Sequence, residues 1–260
     1  MGLKVPSLGG WLYGLWGIEL ILKISVVCFT LSAIMELFIT IPFIKRPQGK
    51  TAFQIVKHDL QDSTWFLRCE KPVFLKVCLV IAGLNLFLSS MVTIGVPVMI
   101  VEYMGLSDQM LGISQGLLAA GGVCGGLLTA ALGKYLRPQK AHIFLSLCAA
   151  ATLLLGMGLF LSRTPLIKYL ILSSSGAAIT IFSTMFSIQM LAVVQAETPE
   201  HLIGKVIACI MTLIMCAQPF GQLIYGLLFE RIDTTVIIVC TGVISMCIAQ
   251  YAKGVLKELG

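Results

Sequence analysis

Charged side chains are scarce in this sequence: they make up 12% of 260 residues, about half the share found in soluble globular domains. A chain so poor in charge cannot wrap an apolar core in a water-compatible shell, which excludes a water-soluble fold. Histidine is rarer still. His58, His142 and His201 fall in separate loops or at helix ends, so a metal centre would need three loops to converge; none is expected, and the three read as solvated interfacial residues. The sequence has no glycine-rich phosphate loop followed by Lys and Ser or Thr, no nucleophile elbow, and no paired histidines on one helix face. No set of nucleophile, base and orienting group can be assembled, so neither enzyme activity nor a cofactor is expected. A basic leader is also missing: Met1 to Gly17 carries Pro6 and five glycines around a short apolar stretch and does not read as a signal peptide.

What the chain has is apolar length. Hydrophobic residues make up 58% of it, the mean hydropathy is +0.97, and the apolar residues come in blocks of about 20, which at 1.5 Å per residue match a hydrocarbon layer of about 30 Å. Seven spans are expected, at 19–43, 73–101, 110–132, 141–162, 166–195, 203–228 and 234–252, giving an all-α polytopic membrane helix bundle. The organisation expected from them is 1–43, the end of one helix plus a full span; 44–72, a loop with an interfacial helix; 73–252, a six-helix bundle; and 253–260, a tail.

The formal charge of +6 is not gathered into one patch with interleaved aromatics, so nucleic acid is not an expected partner. Lys45, Arg46, Lys50, Lys57, Arg68 and Lys71 share one loop, Lys134, Arg137 and Lys140 another, Lys205 a third, and Lys253 and Lys257 the C-terminus. If every block spans, all four segments lie on one side, while the other holds Lys4, Arg163, Lys168 and Arg231. The positive-inside bias then puts the first group, and the C-terminus, in the cytoplasm of a cell-membrane protein.

All nine cysteines but Cys69 fall inside expected spans without metal-type spacing and read as small packing residues. Gly9, Gly10 and the following residues to Gly17, with Trp11, Tyr13 and Trp16, read as a helix end and turn. Lys23 and Glu36 are charges within the first span, thirteen residues and so about 20 Å apart, too far to pair with each other. Lys23 is placed to snorkel outward; Glu36 is either paired inside a bundle or wet at the interface. In the long loop, Phe53, Val56 and Leu60 recur at helical spacing, predicting an interfacial helix anchored by Trp65 and Phe66.

The third span carries Gly121, Gly122, Gly125 and Gly126, whose four-residue spacing lets helix backbones approach closely in lipid. Thr198, Pro199 and Glu200 read as the cap and first turn of the next helix. Gln218, Pro219, Gly221, Gln222 and Gly226 interrupt the sixth span and mark a bend or a polar lining. The amides and hydroxyls within spans, Asn85, Gln115, Ser183, Ser187, Gln189, Gln218 and Gln222, either bond other helices or line a water-filled pathway.

The order of these features resembles the major facilitator superfamily, in its drug and siderophore exporter branch with the macrolide-efflux and enterobactin-exporter-like proteins. The residues that carry the resemblance are Pro6, Gly9, Gly10, Leu12, Tyr13, Gly14 and Gly17; Glu36 with Ile39 and Pro42; Gln195 to Glu200 with Gly204, Lys205 and Val206; and Pro219, Gly221, Gly226 and Leu227. The resemblance implies a twelve-helix carrier of two six-helix halves working by alternating access. On that register the chain corresponds to the tail of the fifth helix, the sixth, the central loop and the C-terminal half. Gly133, Lys134 and Arg137 occupy the family's loop between helices eight and nine, where its acidic residue is absent.

Half a carrier holds half a site. The expected function is secondary efflux of a drug-like or amphipathic solute in company with an N-terminal half, or through self-association. The alternative is a non-transporting partner subunit, docking through the Gly121 to Gly126 face, or an inactive remnant.

Overall fold

The computed structural model describes residues 8–38, 60–200 and 202–258, in two units, Met1–Ile55 and Val56–Gly260. In the first unit, α1 runs over Leu8–Leu37. The stretch from Gly9 to Gly17, expected to hold a helix end and turn, is the opening of this helix; glycine is more frequent in membrane helices than in soluble ones. Lys23 has a partner on its own helix. Its Nζ bonds Glu19 Oε1 at 2.8 Å, an acid one turn N-terminal to a base, the favourable order for such a pair. Glu36 stands in the last turn of α1.

The second unit begins with helical residues 60–65, which widen into a π turn over Phe66–Glu70. Phe53 and Val56 of the expected interfacial helix lie outside the described residues. Of its two expected anchors, Trp65 is exposed, but Phe66 is buried with Leu67, Phe74, Cys78, Val206 and Ile210. The π turn is the reason: it swings two consecutive apolar side chains inward.

Six long helices follow: α2 Pro72–Tyr103, α3 Asp108–Leu132, α4 His142–Leu161, α5 Pro165–Glu197, α6 Ile203–Arg231 and α7 Thr234–Lys257. Among the described residues, these six are long and apolar enough to cross a membrane. Each starts or stops where the chain supplies a reason. Pro72 and Pro165 occupy first helical positions, Asp233 caps α7 by accepting from the Thr235 amide at 2.8 Å, and α2 ends at Gly105, the one described residue with positive φ (+64°), behind which Leu106 N–H bonds the Ile100 carbonyl. The helix α7 continues through residues 253–257, which were expected to belong to a tail.

Thr198 does not cap α6. Its hydroxyl turns back to the Val194 carbonyl and closes α5, while the Pro199 carbonyl accepts from Leu202 and Ile203, so that α6 starts at Ile203. A threonine hydroxyl can bond either way, and here the preceding helix claims it.

Contact registers fix the helix directions. Met110 meets Tyr169, Ser114 meets Ser173 and Gly125 meets Ile181, so α3 and α5 run parallel. Ser90 meets Gln218 and Gly95 meets Phe229, so α2 and α6 are parallel too. By contrast Cys148 against Ile179 with Gly158 against Ile171, Gly156 against Val239 with Gly242 against Leu153, and Gly83 against Ile248 with Lys76 against Glu258 make α4–α5, α4–α7 and α2–α7 antiparallel. Successive helices therefore alternate in direction.

The starts of α2, α4 and α6 share one end of the bundle with the finishes of α3, α5 and α7. Three ion pairs, each 2.7 Å, clip that end: Lys71 to Glu197, Lys76 to Glu258 and Lys205 to Asp62. At the other end Lys168 lies over the Tyr103 ring and bonds its hydroxyl at 3.0 Å.

The packing also has an internal symmetry. The principal neighbours are α4 with α7, α3 with α5, α4 with α5, α2 with α6 and α2 with α7. Exchanging α2, α3 and α4 for α5, α6 and α7 maps this set onto itself and reverses every direction, the property of an inverted-topology repeat. The core is continuous through the bundle, with Met91, Met99, Ile100, Leu145, Leu172, Phe186 and Ile238 at its centre. Outward-facing Val123, Leu127, Leu154, Phe160, Leu223 and Val243 are exposed, the surface such helices turn toward acyl chains.

A candidate substrate pathway

Close approach of small residues sets the spacing of the helices. A Cβ on Gly121 would lie 2.8 Å from the Ala177 carbonyl oxygen, and one on Gly125 would lie 2.5 Å from that of Ile181; α3 is pressed onto the α5 backbone at both. Gly122 and Gly126, one residue on, meet nothing nearer than 3.8 and 3.9 Å and have turned away. The close packing expected of this cluster is therefore met within the chain. Gly121 and Gly125 are thus taken up inside the bundle, and only Gly122 and Gly126 of the expected docking face remain free of it.

On the symmetry-related side, Gly221 of α6 sits against the Leu86 carbonyl and the Ser90 side chain. Ser90 Oγ donates to the Gln218 carbonyl at 3.0 Å and to the Asn85 carbonyl at 2.8 Å. The Pro219 region thus serves as a helix contact inside an uninterrupted α6.

With α3 held to α5 and α6 held to α2, the repeat-related pair α2 and α5 face each other across a cleft. Two cavities occupy it. One, of about 200 Å³, is almost wholly apolar, walled by Phe74, Val77 and Ile81 of α2, Met190 and Val194 of α5, and Ile210 of α6. The second, of about 240 Å³, carries Ser89, Thr93, Thr180 and Ser183. Asn85 and Ser187 line both, so the two cavities adjoin, apolar toward the ion-paired end and hydroxylated farther in.

The local structure explains the lining. On α2 the chain runs as a π segment over Asn85–Ser89, an element often found at functional positions. Asn85 Nδ2 donates to the Ile81 carbonyl at 3.0 Å, so one amide proton is held by its own helix. Thr93 donates to Ser89 O, Thr180 to Leu118 O and Ala177 O, and Ser183 to Thr180 O. These hydroxyls spend their protons on backbone and present acceptor lone pairs. No charged residue lines either cavity.

Of the candidates drawn from the sequence, Asn85, Ser183 and Ser187 are brought together here. Gln189 is not. It lines a third cavity, of about 470 Å³, between α3 and α5. Gln115 is exposed on α3, and Gln218 and Gln222 stand outside both cleft cavities. Ser89, Thr93 and Thr180 were missed, although Asn85, Ser89 and Thr93 recur every fourth residue, a stripe that could have been read as one helix face.

Cysteine behaves as expected only in part. Cys78, Cys148 and Cys209 are buried, whereas Cys124, Cys216, Cys240 and Cys247 are on the bundle's surface. His142 stands at the start of α4, its Nδ1 3.0 Å from the Gln139 carbonyl; His58 and His201 lie outside the described residues.

Comparison with known proteins agrees with this architecture. Residues 4–221 match the family model of the Major Facilitator Superfamily. The chain is 22% identical over 245 residues to macrolide efflux protein A of Streptococcus pyogenes, and equally to that of S. pyogenes serotype M6 (strain ATCC BAA-946 / MGAS10394); the alignment covers 94% of this chain. The chain spans 58% of the length of these curated relatives, and no solved structure matches it. An apolar bundle of six alternating helices with an inverted repeat, matched by a family model over most of its length, is a multi-pass membrane protein, and this chain belongs to the Major Facilitator Superfamily.

Proposed function

We propose that the chain supplies the C-terminal wall of a secondary carrier that exports a neutral or amphipathic small molecule, with the α2–α5 cleft as its share of the pathway. The observation that carries this reading is the lining of that cleft: an apolar stretch at Phe74, Ile81, Met190 and Ile210 joined through Asn85 and Ser187 to a hydroxylated one. Uncharged walls with a few polar groups accept a molecule that is largely apolar and offers a donor or two. The names of the similar proteins, macrolide efflux protein A, support export as the direction.

The cleft belongs to two helices related by the inverted repeat, where carriers of this architecture hold their substrates. The end bearing Lys71, Lys134, Arg137, Lys140, Lys205, Lys253 and Lys257 is the cytoplasmic end by the positive-inside bias, in a cell membrane with the C-terminus inside. In this reading a matching N-terminal half completes the cleft.

The test is co-expression with an N-terminal half from a related exporter, in cells stripped of their own exporters. Accumulation of a macrolide and of a lipophilic dye is measured with insertion of both chains verified. Restored efflux that collapses with the proton gradient, and that falls at least fivefold on Ser187→Leu or Asn85→Leu, is the expected result. Inserted halves that leave accumulation unchanged would overturn the proposal.

A further inference from the structure

The third cavity carries a separate inference, independent of transport. Gln189 is 7% exposed, and neither its amide nitrogen nor its amide oxygen has a hydrogen-bond partner. A buried primary amide with both ends unpaired is costly, and this one lines the largest cavity described, about 470 Å³ between α3 and α5. The walls are mostly small: Gly126, Ala130, Ala192 and Ala196. They leave room for a chain to lie along the groove.

The rim adds charge. Gly133, Leu136 and Pro138 complete the cavity, so the α3–α4 loop that borders it is the one bearing Lys134, Arg137 and Lys140. All three cations are exposed, and none has an ion-pair partner among the described residues. Lys71, Lys76 and Lys205 at the same end of the bundle are each paired with a carboxylate, whereas this loop gathers three cations without one at the mouth of a cavity.

An apolar groove with small residues in its walls, a buried amide with its N–H donors and its carbonyl acceptor unbonded, and cations at the mouth complement one kind of molecule. We propose that the α3–α5 groove is a binding site for an anionic phospholipid. The acyl chain lies against Gly126, Ala130, Ala192 and Val193; the Gln189 amide bonds the glycerol ester region; and Lys134, Arg137 and Lys140 hold the phosphate. Basic pockets between membrane helices on the cytoplasmic side bind anionic headgroups on this electrostatic ground, at roughly 1 kcal/mol per cation, or about fivefold in affinity.

The test uses the purified full chain in detergent and native mass spectrometry, titrating dioleoyl phosphatidylglycerol against dioleoyl phosphatidylcholine. The wild type should retain one saturable copy of phosphatidylglycerol at least fivefold more tightly than phosphatidylcholine. Combined Lys134→Gln, Arg137→Gln and Lys140→Gln should cut that affinity tenfold or more. Ala130→Leu, which fills the groove and leaves the cations intact, should remove the saturable copy, and Gln189→Leu should weaken it severalfold. Ala192→Leu fills the groove from the other wall should Ala130→Leu fail to elute as a folded species.

Equal retention of the two lipids would overturn the proposal. So would loss on neutralising the cations with no effect of the groove-filling or Gln189 variants, because that pattern is generic surface attraction. A co-purifying membrane protein displaced by Ala130→Leu, with lipid retention unaltered, would hand the groove to a protein partner and overturn it equally.

Discussion

Ser187 and Gln189, two residues apart on α5, open onto different cavities: Ser187 onto the cleft facing α2, and Gln189 onto the groove against α3. Two residues turn an α-helix by about 200°, so neighbours in the sequence serve nearly opposite faces. Ile188, between them, borders both cavities, and the polar residues along α5 divide by face rather than by proximity. The division also separates two kinds of variant: changes at Ser187 bear on the proposed pathway, and changes at Gln189 on the proposed lipid seat.

Glycine positions on α3 give a first prediction. Gly125→Ala places a methyl 2.5 Å from the Ile181 carbonyl oxygen and 3.1 Å from Thr184 Cβ. A helix backbone cannot step aside as a flexible side chain would, so the helices must part, at a cost of about 1–3 kcal/mol typical of overpacking. Gly122→Ala meets only Thr184 Oγ1 at 3.8 Å and should leave stability within about 0.5 kcal/mol of wild type. Thermal unfolding in detergent, followed by fluorescence-detected chromatography, reads the difference between the pair.

The hydrogen bond between Tyr225 and Thr241 gives a second. The two hydroxyl oxygens are 2.7 Å apart and buried between α6 and α7, and Thr241 also donates to the Ile237 carbonyl at 2.8 Å. Since the threonine proton goes to its own helix, tyrosine is the donor between helices. Tyr225→Phe removes that donor and leaves Thr241 bonded. The loss should be about 0.6 kcal/mol and no more than about 1.7, the range found for bonds between membrane helices. Tyr225→Ala adds a cavity in the core and should cost about 3 kcal/mol or more. Equilibrium unfolding of the two variants distinguishes the bond from the packing.

Much of this fold was legible because hydrocarbon thickness and helix rise leave few alternatives for blocks of apolar residues: the expected spans 110–132 and 234–252 correspond to Asp108–Leu132 and Thr234–Lys257. Less legible was anything decided by a choice between two partners. Thr198 had a hydroxyl and two helices to serve, and the carbonyl behind it won. Phe66 was read as an interfacial anchor beside Trp65, but a π turn put it in the core. Lys23 was read as a snorkelling charge without the partner that Glu19, one turn away, supplies. Within the cleft, Asn85 and Ser187 were recognisable as polar residues in apolar helices. Their shared position, and the departure of Gln189, depend on how α3, α5 and α2 are rotated against each other, and that rotation is set by contacts such as Gly125 on Ile181.

The ion pair between Lys71 and Glu197 supports a third prediction. It ties the start of α2 to the end of α5 across 2.7 Å, with side chains 43% and 37% exposed. Solvent reaches both groups, so the coupling between them should be no more than about 1 kcal/mol and should shrink as salt is raised. A double-mutant cycle with Lys71→Met and Glu197→Gln, measured at low and high ionic strength, checks both magnitude and screening. A coupling that survives high salt would mean the pair is shielded from solvent in the assembled protein.

The orientation of the bundle gives the last. Cys69 is exposed just ahead of α2, at the end where the three ion pairs gather, whereas Cys124, Cys216, Cys240 and Cys247 are exposed on the flanks of membrane helices. Maleimides react with thiols that water reaches, and a thiol among acyl chains is out of reach of a water-soluble reagent. A water-soluble maleimide should therefore modify Cys69 and spare the four flank cysteines, with Cys78, Cys148 and Cys209 reacting only after denaturation. With the basic loops in the cytoplasm, labelling of Cys69 should be complete in inverted membrane vesicles and absent in sealed right-side-out ones, as read by site-resolved mass spectrometry. The reverse pattern would put Lys71, Arg137 and Lys205 outside the cell. Because successive helices alternate in direction, that single result would invert every loop of the second unit together.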